Sequence, residues 1–502
     1  MDFLDPKKQR KQTIRVFVGY GLITVALIMT TIVLLYQAYG FGLDKHGQVI
    51  QNGLVFMASQ PDPAKIYMNG KLYKDQTDTR MVLPAGQYKF ELTRDGYRTW
   101  QRAITVEGGS VEHFDYPFLF PTKLTTTTTK RYTTQPGNIL QSPDRRWLLA
   151  QSTESLATFD VFDLDAKEVA TSAKQITLPG NVLTATSGTQ SWQLQEWSTD
   201  NRRVLLKHLY QKDKQDTFEY VLLDRQEPTQ SINLTTTLGT NPTHIELRDK
   251  KYDQYYLYDQ TAATLTTATL KEPAPQAYLD HVLAFKSHGS KVMLYATDQG
   301  AVQGRAVIRV RDGDKTYTIR QVASGSQYLL DLTEYSGSWY VAAGVSSEDK
   351  VYVYQDPVAA LSGKPNDVLV PVSILKVPGA NYLQFSDNAR FIAAENADHF
   401  ALYDAENDKS YGYQTKLPLD VPQAHATWMD GHRLTYVSKG RVVVFDFDSA
   451  NKQTLSAANP AFAPLFARNY KFLYTIDAQA ASGTSPAQTL LNSTSLLTPQ
   501  DQ

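Results

Sequence analysis

From Val16 to Leu43 the chain carries no charged side chain. The densest part, GLITVALIMTTIVLLYQAYG, is apolar apart from a few Thr and Gly residues. At 1.5 Å per residue, about 20 such residues span the ~30 Å hydrocarbon layer of a bilayer. The run therefore predicts a transmembrane helix over residues 16–43. Tyr20, Tyr36 and Tyr39 stand towards its ends, where amphipathic rings prefer the membrane interface. A core helix would be shorter and differently flanked. A cleaved signal peptide would have an apolar region of about 7–15 residues and small residues at a cleavage site. This run is longer, and QAYGFG offers only a poor site. Lys7, Lys8, Arg10, Lys11 and Arg15 precede the run, against Asp2 and Asp5, and Asp44 and Lys45 follow it. Positive charge stays on the cytoplasmic side. The expectation is a basic cytoplasmic tail over residues 1–15 and a single-pass anchor. Everything after it lies outside the cytoplasm.

Beyond the span, continuous hydrophobicity gives way to short alternating runs between turn residues. LVFMAS precedes the turn SQPDPA, and KIYMNGKLY reads as a hairpin with Asn69-Gly70 at its tip, a strong two-residue turn signal. Pro84-Ala85-Gly86 and Asp95-Gly96 punctuate the following runs, QYKFELT and RAITVE. The pattern predicts a small β-sandwich over residues 50–121.

The order of residues in this stretch resembles the PEGA domain, a small extracytoplasmic β-sandwich common in bacterial surface proteins. Ser59, Pro61, Ala64, Gly70, Leu83, Pro84, Gly86, Gly96 and Tyr97 match its pattern. Pro61-Asp62-Pro63-Ala64 stands where the family has Pro-Glu-Gly-Ala, and Thr77-Asp78-Thr79 where it has Thr-Pro. The resemblance implies no catalysis. It implies structural roles: glycines for positive φ and prolines for rigid corners.

A Thr-rich stretch, residues 122–137, follows as a linker or a closing strand, since β-branched Thr favours strands. From Asn138 two kinds of segment alternate. One is an apolar strand, a polar turn and a second apolar strand, as in ILQSPDRRWLLAQS, LQEWSTDNRRVLLKHL and YLQFSDNARFIAAEN. The other is an apolar strand ending in an Asp-containing turn, as in FDVFDLDAKE, YYLYDQTAAT, FALYDAENDK and VVVFDFDSAN. Turns of the first kind recur every roughly 40–55 residues, which fits one four-stranded blade per repeat of a β-propeller. Seven or eight blades over 138–495 are expected, with a flexible tail over 496–502. A β-solenoid or tandem sandwiches are the alternatives. The Ser-Pro-Asp and Ser-x-Asp turns look similar to those of TolB-like and WD40-like propellers. A ring must join its ends or leave open sheet edges. KFLYTID and Thr125–Thr134 are therefore expected in one closing blade, to which LLNSTSLL could add an edge strand.

Composition narrows the function classes. The 502 residues carry a formal net charge of -1, so the basic footprint of a nucleic-acid binder is missing. The basic tail leaves the remainder mildly acidic. The absence of Cys excludes disulfides, thiolate metal sites and cysteine nucleophiles.

No G-x-S-x-G elbow, P-loop or dinucleotide fingerprint stands in the chain, so no catalytic residue, metal or cofactor is expected. The nine histidines, His46, His113, His208, His244, His281, His288, His399, His425 and His432, lack metal-ligand spacing and read as scattered surface residues. His281 and His288 flank one strand and should end up apart. Asp160, Asp163 and Asp165, like Asp446 and Asp448, lack the Gly and Glu of a calcium loop and read as turn caps. Trp147, Trp192, Trp197, Trp339 and Trp428 could form a sugar-binding face, but packing between blades is the expected use. The expected function is a membrane-anchored binding or scaffolding protein of the bacterial cell envelope, with an envelope protein or polysaccharide as partner. A propeller hydrolase or lyase acting on an envelope or extracellular polymer is the rival.

Overall fold

A computed structural model of the chain describes residues 6–38, 40–43, 49–152, 155–186, 188–363, 368–421, 424–481 and 486–501. It divides into two compact units, Met1–Lys123 and Leu124–Gln502.

The first unit opens with a helix, α1, over Pro6–Ala38. Proline suits the first turn, where its missing N–H would have no partner anyway. The segment Arg10–Tyr36 is long and apolar enough to cross a membrane and is not buried against the protein. The hydroxyls of Thr24, Thr30 and Thr31 donate to the carbonyls of Tyr20, Ala26 and Leu27 at 2.9, 2.8 and 2.8 Å. This back-bonding satisfies the few polar groups of an aliphatic helix. The helix stops at Ala38, short of the expected Leu43. Gly40 takes φ +77°, which a helix cannot continue through, and Phe41–Leu43 pair as a strand with Val49–Gln51. Asp44, Lys45 and His46 lie outside the described residues.

Two four-stranded sheets follow. In one, Val49–Met57 pairs with Thr79–Pro84 on one side and with Phe41–Leu43 and, in parallel, Val111–Phe114 on the other. The other runs Lys71–Gln76, Lys65–Met68, Gly86–Thr93, Trp100–Val106. Its hairpin turns at Asn69 and Gly70, both with positive φ (50° and 77°), as a two-residue I′ turn requires. Alternation buries Val55, Met57, Met81 and Leu83 from the first sheet and Ile66, Phe90, Leu92 and Trp100 from the second.

The second unit contains eight four-stranded antiparallel sheets among its described residues, arranged as in a β-propeller. Seven are consecutive, over 139–177, 190–233, 244–279, 282–323, 328–376, 382–414 and 427–457. The eighth combines Leu465–Phe466, Phe472–Gln479 and Gln488–Ser495 with Thr125–Tyr132. The strands within a sheet are called A to D in the order in which they pair. Segments of the first sequence type form the A–B hairpins. Those of the second type form C–D hairpins, except YYLYDQTAAT, which joins B to C of the third sheet.

The central strands are covered on both faces by neighbouring sheets, so they read as unbroken apolar runs. Arg441–Asp446 is buried along its length after Arg441, whereas the outer strand Lys174–Thr177 is mostly exposed. Leu149 and Phe159 pack with Trp192 and Val204 of the next sheet. Leu205 and Tyr220 continue to Ile245 and Tyr255, and Tyr256 to Met293. Val310 meets Val341, Val353 meets Ile392, and the rings of Phe400 and Phe445 lie 5.7 Å apart. Leu148 and Phe162 of the first sheet then pack with Tyr474 and Leu491 of the eighth. Each fully buried side chain of this kind contributes about 1.5–3 kcal/mol.

KFLYTID and the Thr-rich strand share the eighth sheet, but they do not pair with each other. Gln488–Ser495, expected as an edge strand, lies between them and pairs with both. Its Leu491, Thr494 and Ser495 are buried. The expected flexible tail is packed where it starts: Leu496 and Leu497 are buried, and the Ser495 hydroxyl donates to the Leu497 carbonyl at 2.9 Å.

Candidate functional site

The A–B turns of the first, second and sixth sheets share one construction. In the first sheet the Ser142 hydroxyl donates to Asp144 (2.5 Å) and accepts from the Trp147 N–H (2.9 Å), while Arg146 N–H donates to Asp144 (3.1 Å). Ser386 and Asn388 repeat this in the sixth sheet; in the second, Ser198 donates to Asp200, which accepts from both Arg202 and Arg203 N–H. The third turn position is left-handed: Arg145, Asn201, Ala389 and Tyr470 have φ between 52° and 63°. This inverts the chain for the next strand and points the following arginine back over its own sheet.

That arginine meets the Asp closing strand C: Arg146–Asp163, Arg202–Asp224 and Arg390–Asp404 are each 2.7 Å apart. In the seventh sheet His432 holds the equivalent place, and Arg433 after it lies 3.6 Å from Asp446. Asp163, Asp224 and Asp404 also cap turns; Asp224, for example, accepts from the N–H groups of Gln226 and Glu227 at 3.0 Å. Hydrogen bonding to Arg146 holds the Asp163 carboxyl below its ordinary pKa. Burial pushes Asp224 upward, and Arg202 with the turn N–H groups brings it below normal. Asp259 caps its B–C turn by accepting from Thr261 and Ala262. The turn-cap reading thus describes Asp163, with an arginine added, and Asp448, which accepts from Ala450 N–H at 3.2 Å; Asp446 accepts from the Asn451 side chain at 2.8 Å. Asp160 is instead buried, 3.3 Å from Lys130.

Turns from five sheets converge at Arg145. Its guanidinium donates to Asp387 of the sixth sheet and to the Met429 carbonyl of the seventh (2.6 Å), and lies 5.3 Å from the Tyr470 ring centre in the eighth. Asp144 N–H beside it donates to Asn201 of the second (3.3 Å). Burial raises the Asp387 pKa; Arg145 opposes this and Asp430 adds to it. Arg433 binds Asp430 alongside. The result is a fixed arrangement of two arginines, two carboxylates and a phenol, suited to recognising polar groups.

Further polar links tie neighbouring sheets. Lys250 contacts Glu196 at 2.5 Å. Asp331 lies 3.6 Å from Lys286 and accepts from Phe385 N–H at 3.0 Å. Both oxygens of Glu395 face the Ala426 N–H at 3.0 Å, and burial raises this carboxyl to a pKa of about 8.

His208 corrects the surface reading of the histidines. It is fully buried, donor–acceptor distances being 2.8 Å to Glu219 and 3.0 Å to Gln190. Burial pushes Glu219 up, but bonds from His208, Thr184 and Asn233 bring it down to about 2. His113 stacks on Phe56, His425 on Tyr382, and His288 and His432 meet Trp339 and Phe391 edge-on. His281 and His399 pair with Asp298 and Asp398, and burial lowers the His244 pKa. His281 and His288 flank the strand Val282–His288, at its opposite ends. Among the described residues, no group of three or more His, Cys, Asp or Glu could hold a metal ion.

Trp192, Trp197 and Trp428 are buried in packing. Trp147 is half-buried, with Arg225 over its ring at 3.7 Å. Trp339 borders a cavity of about 210 Å³ with Val292, Asp356 and Val358.

In the first unit, Ser59 and Thr77 hydroxyls lie 2.7 Å apart, and Thr77 accepts from Ala64 N–H at 2.8 Å. Ser59 also donates to the Pro61 carbonyl (3.0 Å). Gly70 and Gly96 have φ +77° and +83°, and Tyr97 is buried. Pro84 is exposed and accepts from the Tyr88 hydroxyl at 2.9 Å. Gly86 departs from the expected positive φ: it opens the strand Gly86–Thr93, paired with Val106.

No curated protein matches the chain. Among solved structures, it is similar to the dihydro-heme d1 dehydrogenase NirN in complex with DHE, at 15% identity and TM-score 0.40, over 65% of this chain and 66% of that one. It is also similar to Hsv2p of Kluyveromyces lactis (9%, 0.34, 72% and 98%) and to hydrazine synthase of Kuenenia stuttgartiensis (12%, 0.32, 68% and 92%). Likenesses at these scores carry no argument about function. Residues 52–119, which contain most of the two sheets after α1, match the family model of the PEGA domain.

Proposed function

We propose that this is a membrane-anchored binding or scaffolding protein of a bacterial cell envelope. In this reading α1 is a single-pass anchor with its N-terminus in the cytoplasm, as the basic residues between Lys7 and Arg15 at its start favour. The two sheets after it form a PEGA β-sandwich outside the cytoplasm. The eight sheets are the blades of a closed eight-bladed propeller that carries the partner site. The observation supporting a platform is the convergence of five turns at Arg145, which offers fixed charges on a rigid frame. An envelope protein or polysaccharide is the partner class, because such surfaces carry the polar groups that these charges pair with.

Protease added to intact spheroplasts should digest the C-terminal unit and leave the basic residues 1–15 protected; a protected C-terminal unit sinks the orientation. Purified wall polysaccharide and envelope protein fractions should bind the solubilised full chain, and Arg145→Gln should weaken that binding with only a modest fall in melting temperature, as Asp387 and the Met429 carbonyl lose a charged donor. Equal binding by wild type and variant removes the platform from the Arg145 turns.

A further inference from the structure

The sheet joined to α1 turns an apolar face outward. Its inward side chains are buried, as expected. The outward positions form rows across three strands: Val82–Leu54–Val111, and beside it Arg80–Phe56–His113. Val82 is 63% and Val111 54% exposed, on either side of half-buried Leu54. Phe56 stacks on His113 with centroids 4.7 Å apart. The solvated face of an antiparallel sheet is ordinarily polar, so an aliphatic row here needs a cover.

We propose that this face rests on the lipid bilayer; the inference depends on reading α1 as the anchor. The length of the connection carries it. The helix ends at Ala38, and Phe41 is already paired in this sheet. Three Cα–Cα steps reach at most ~11 Å. About 20 residues after Arg15 cross the hydrocarbon layer, so the end of α1 reaches the interface and the sheet starts within the headgroup zone. The rings of Tyr36 and Phe41, 5.2 Å apart, mark that junction, where aromatic side chains are favoured. Arg80 is exposed beside the aliphatic row and suits a lipid phosphate. An apolar face of this kind sinks roughly 5–10 Å into the headgroup boundary.

The chain has no cysteine, so single-cysteine variants can be labelled without background. The full chain is reconstituted in phosphatidylcholine–phosphatidylglycerol vesicles with an environment-sensitive fluorophore at Val82→Cys, Val111→Cys, Leu72→Cys or Leu27→Cys. Leu72 is 61% exposed on the other sheet and Leu27 lies in mid-helix. The labels at 82 and 111 should be blue-shifted and quenched by lipids carrying a nitroxide near the headgroup, while the label at 72 stays water-like. The label at 27 should be quenched by a deep nitroxide. If position 27 is quenched but 82 and 111 behave like 72, the bilayer contact is overturned and the anchor stands. A blue shift at 82 and 111 without lipid quenching means that protein covers the face, which also overturns it. No lipid quenching at 27 refutes the anchor and this inference with it.

Discussion

Replacing Glu395 with Gln is expected to stabilise the C-terminal unit at neutral pH and to flatten its pH dependence. Glu395 is 1% exposed, and burial holds its carboxyl at a pKa of about 8, with the Ala426 N–H opposing. An unfolded chain has a glutamate pKa of ~4.3. A carboxyl raised by folding binds its proton more tightly in the native state, so its contribution to stability falls as pH rises from about 4.3 to about 8. At ~1.4 kcal/mol per pKa unit, the penalty at pH 7 is on the order of 3 kcal/mol and close to nothing at pH 4. Glutamine keeps an oxygen for Ala426 N–H and cannot ionise. Its extra N–H donors, buried without a partner, cost about 1 kcal/mol or more. The variant should therefore gain roughly 2 kcal/mol at pH 7 and lose about 1 kcal/mol near pH 4. Urea unfolding of the detergent-solubilised chain, followed by tryptophan fluorescence across this pH range, reads both effects. Parallel stability curves for wild type and variant would refute the argument.

Gly96→Val should lower the melting temperature of the first unit, because a β-branched residue at φ +83° costs ~1–3 kcal/mol; no change would remove the strain. Arg390→Ala should destabilise by about 3–5 kcal/mol, since it leaves Asp404 buried without its guanidinium. Arg146→Ala at the more exposed equivalent should cost about 1 kcal/mol or less, and equal losses in urea titrations would contradict the role of burial. Ending the chain before Pro464 should cause aggregation or non-cooperative melting, because Leu148 and Phe162 lose Tyr474 and Leu491. A cut after Gly483 should do much the same, since Thr125–Tyr132 then loses its partner strand.

The hairpins were legible because their signals are local. A Ser-x-Asp turn between two apolar runs specifies an A–B hairpin within a dozen or so residues, and the double covering of the central strands leaves unbroken runs such as VVVFD. The Asn69-Gly70 and Asp95-Gly96 turns were legible for the same reason. The arginine bridges were not, because the partners stand in different hairpins; the signal was an Arg one position after the left-handed residue, with an Asp at the end of the second apolar run after it. His208 and Glu219 face each other across two strands, and nothing local marks either as buried. The convergence on Arg145 joins turns far apart in sequence, so no window along the chain contains it. Gln488–Ser495 was underrated because its Asn, Ser and Thr residues weaken its apolar pattern, although closure buries several of them.

The strand Thr125–Tyr132 has a consequence for biosynthesis. Thr126 is hydrogen-bonded to Thr494, 368 residues later. A ribosome adding ~5–20 residues per second takes tens of seconds to cover that interval. Throughout it, a threonine-rich strand stands with both edges unpaired beside newly made hydrophobic sheets. Its polar hydroxyls and Lys130 and Arg131 make it a poor template for intermolecular pairing, since charged side chains discourage strand addition. The composition that makes this strand look like a linker thus keeps it soluble until its partner is synthesised.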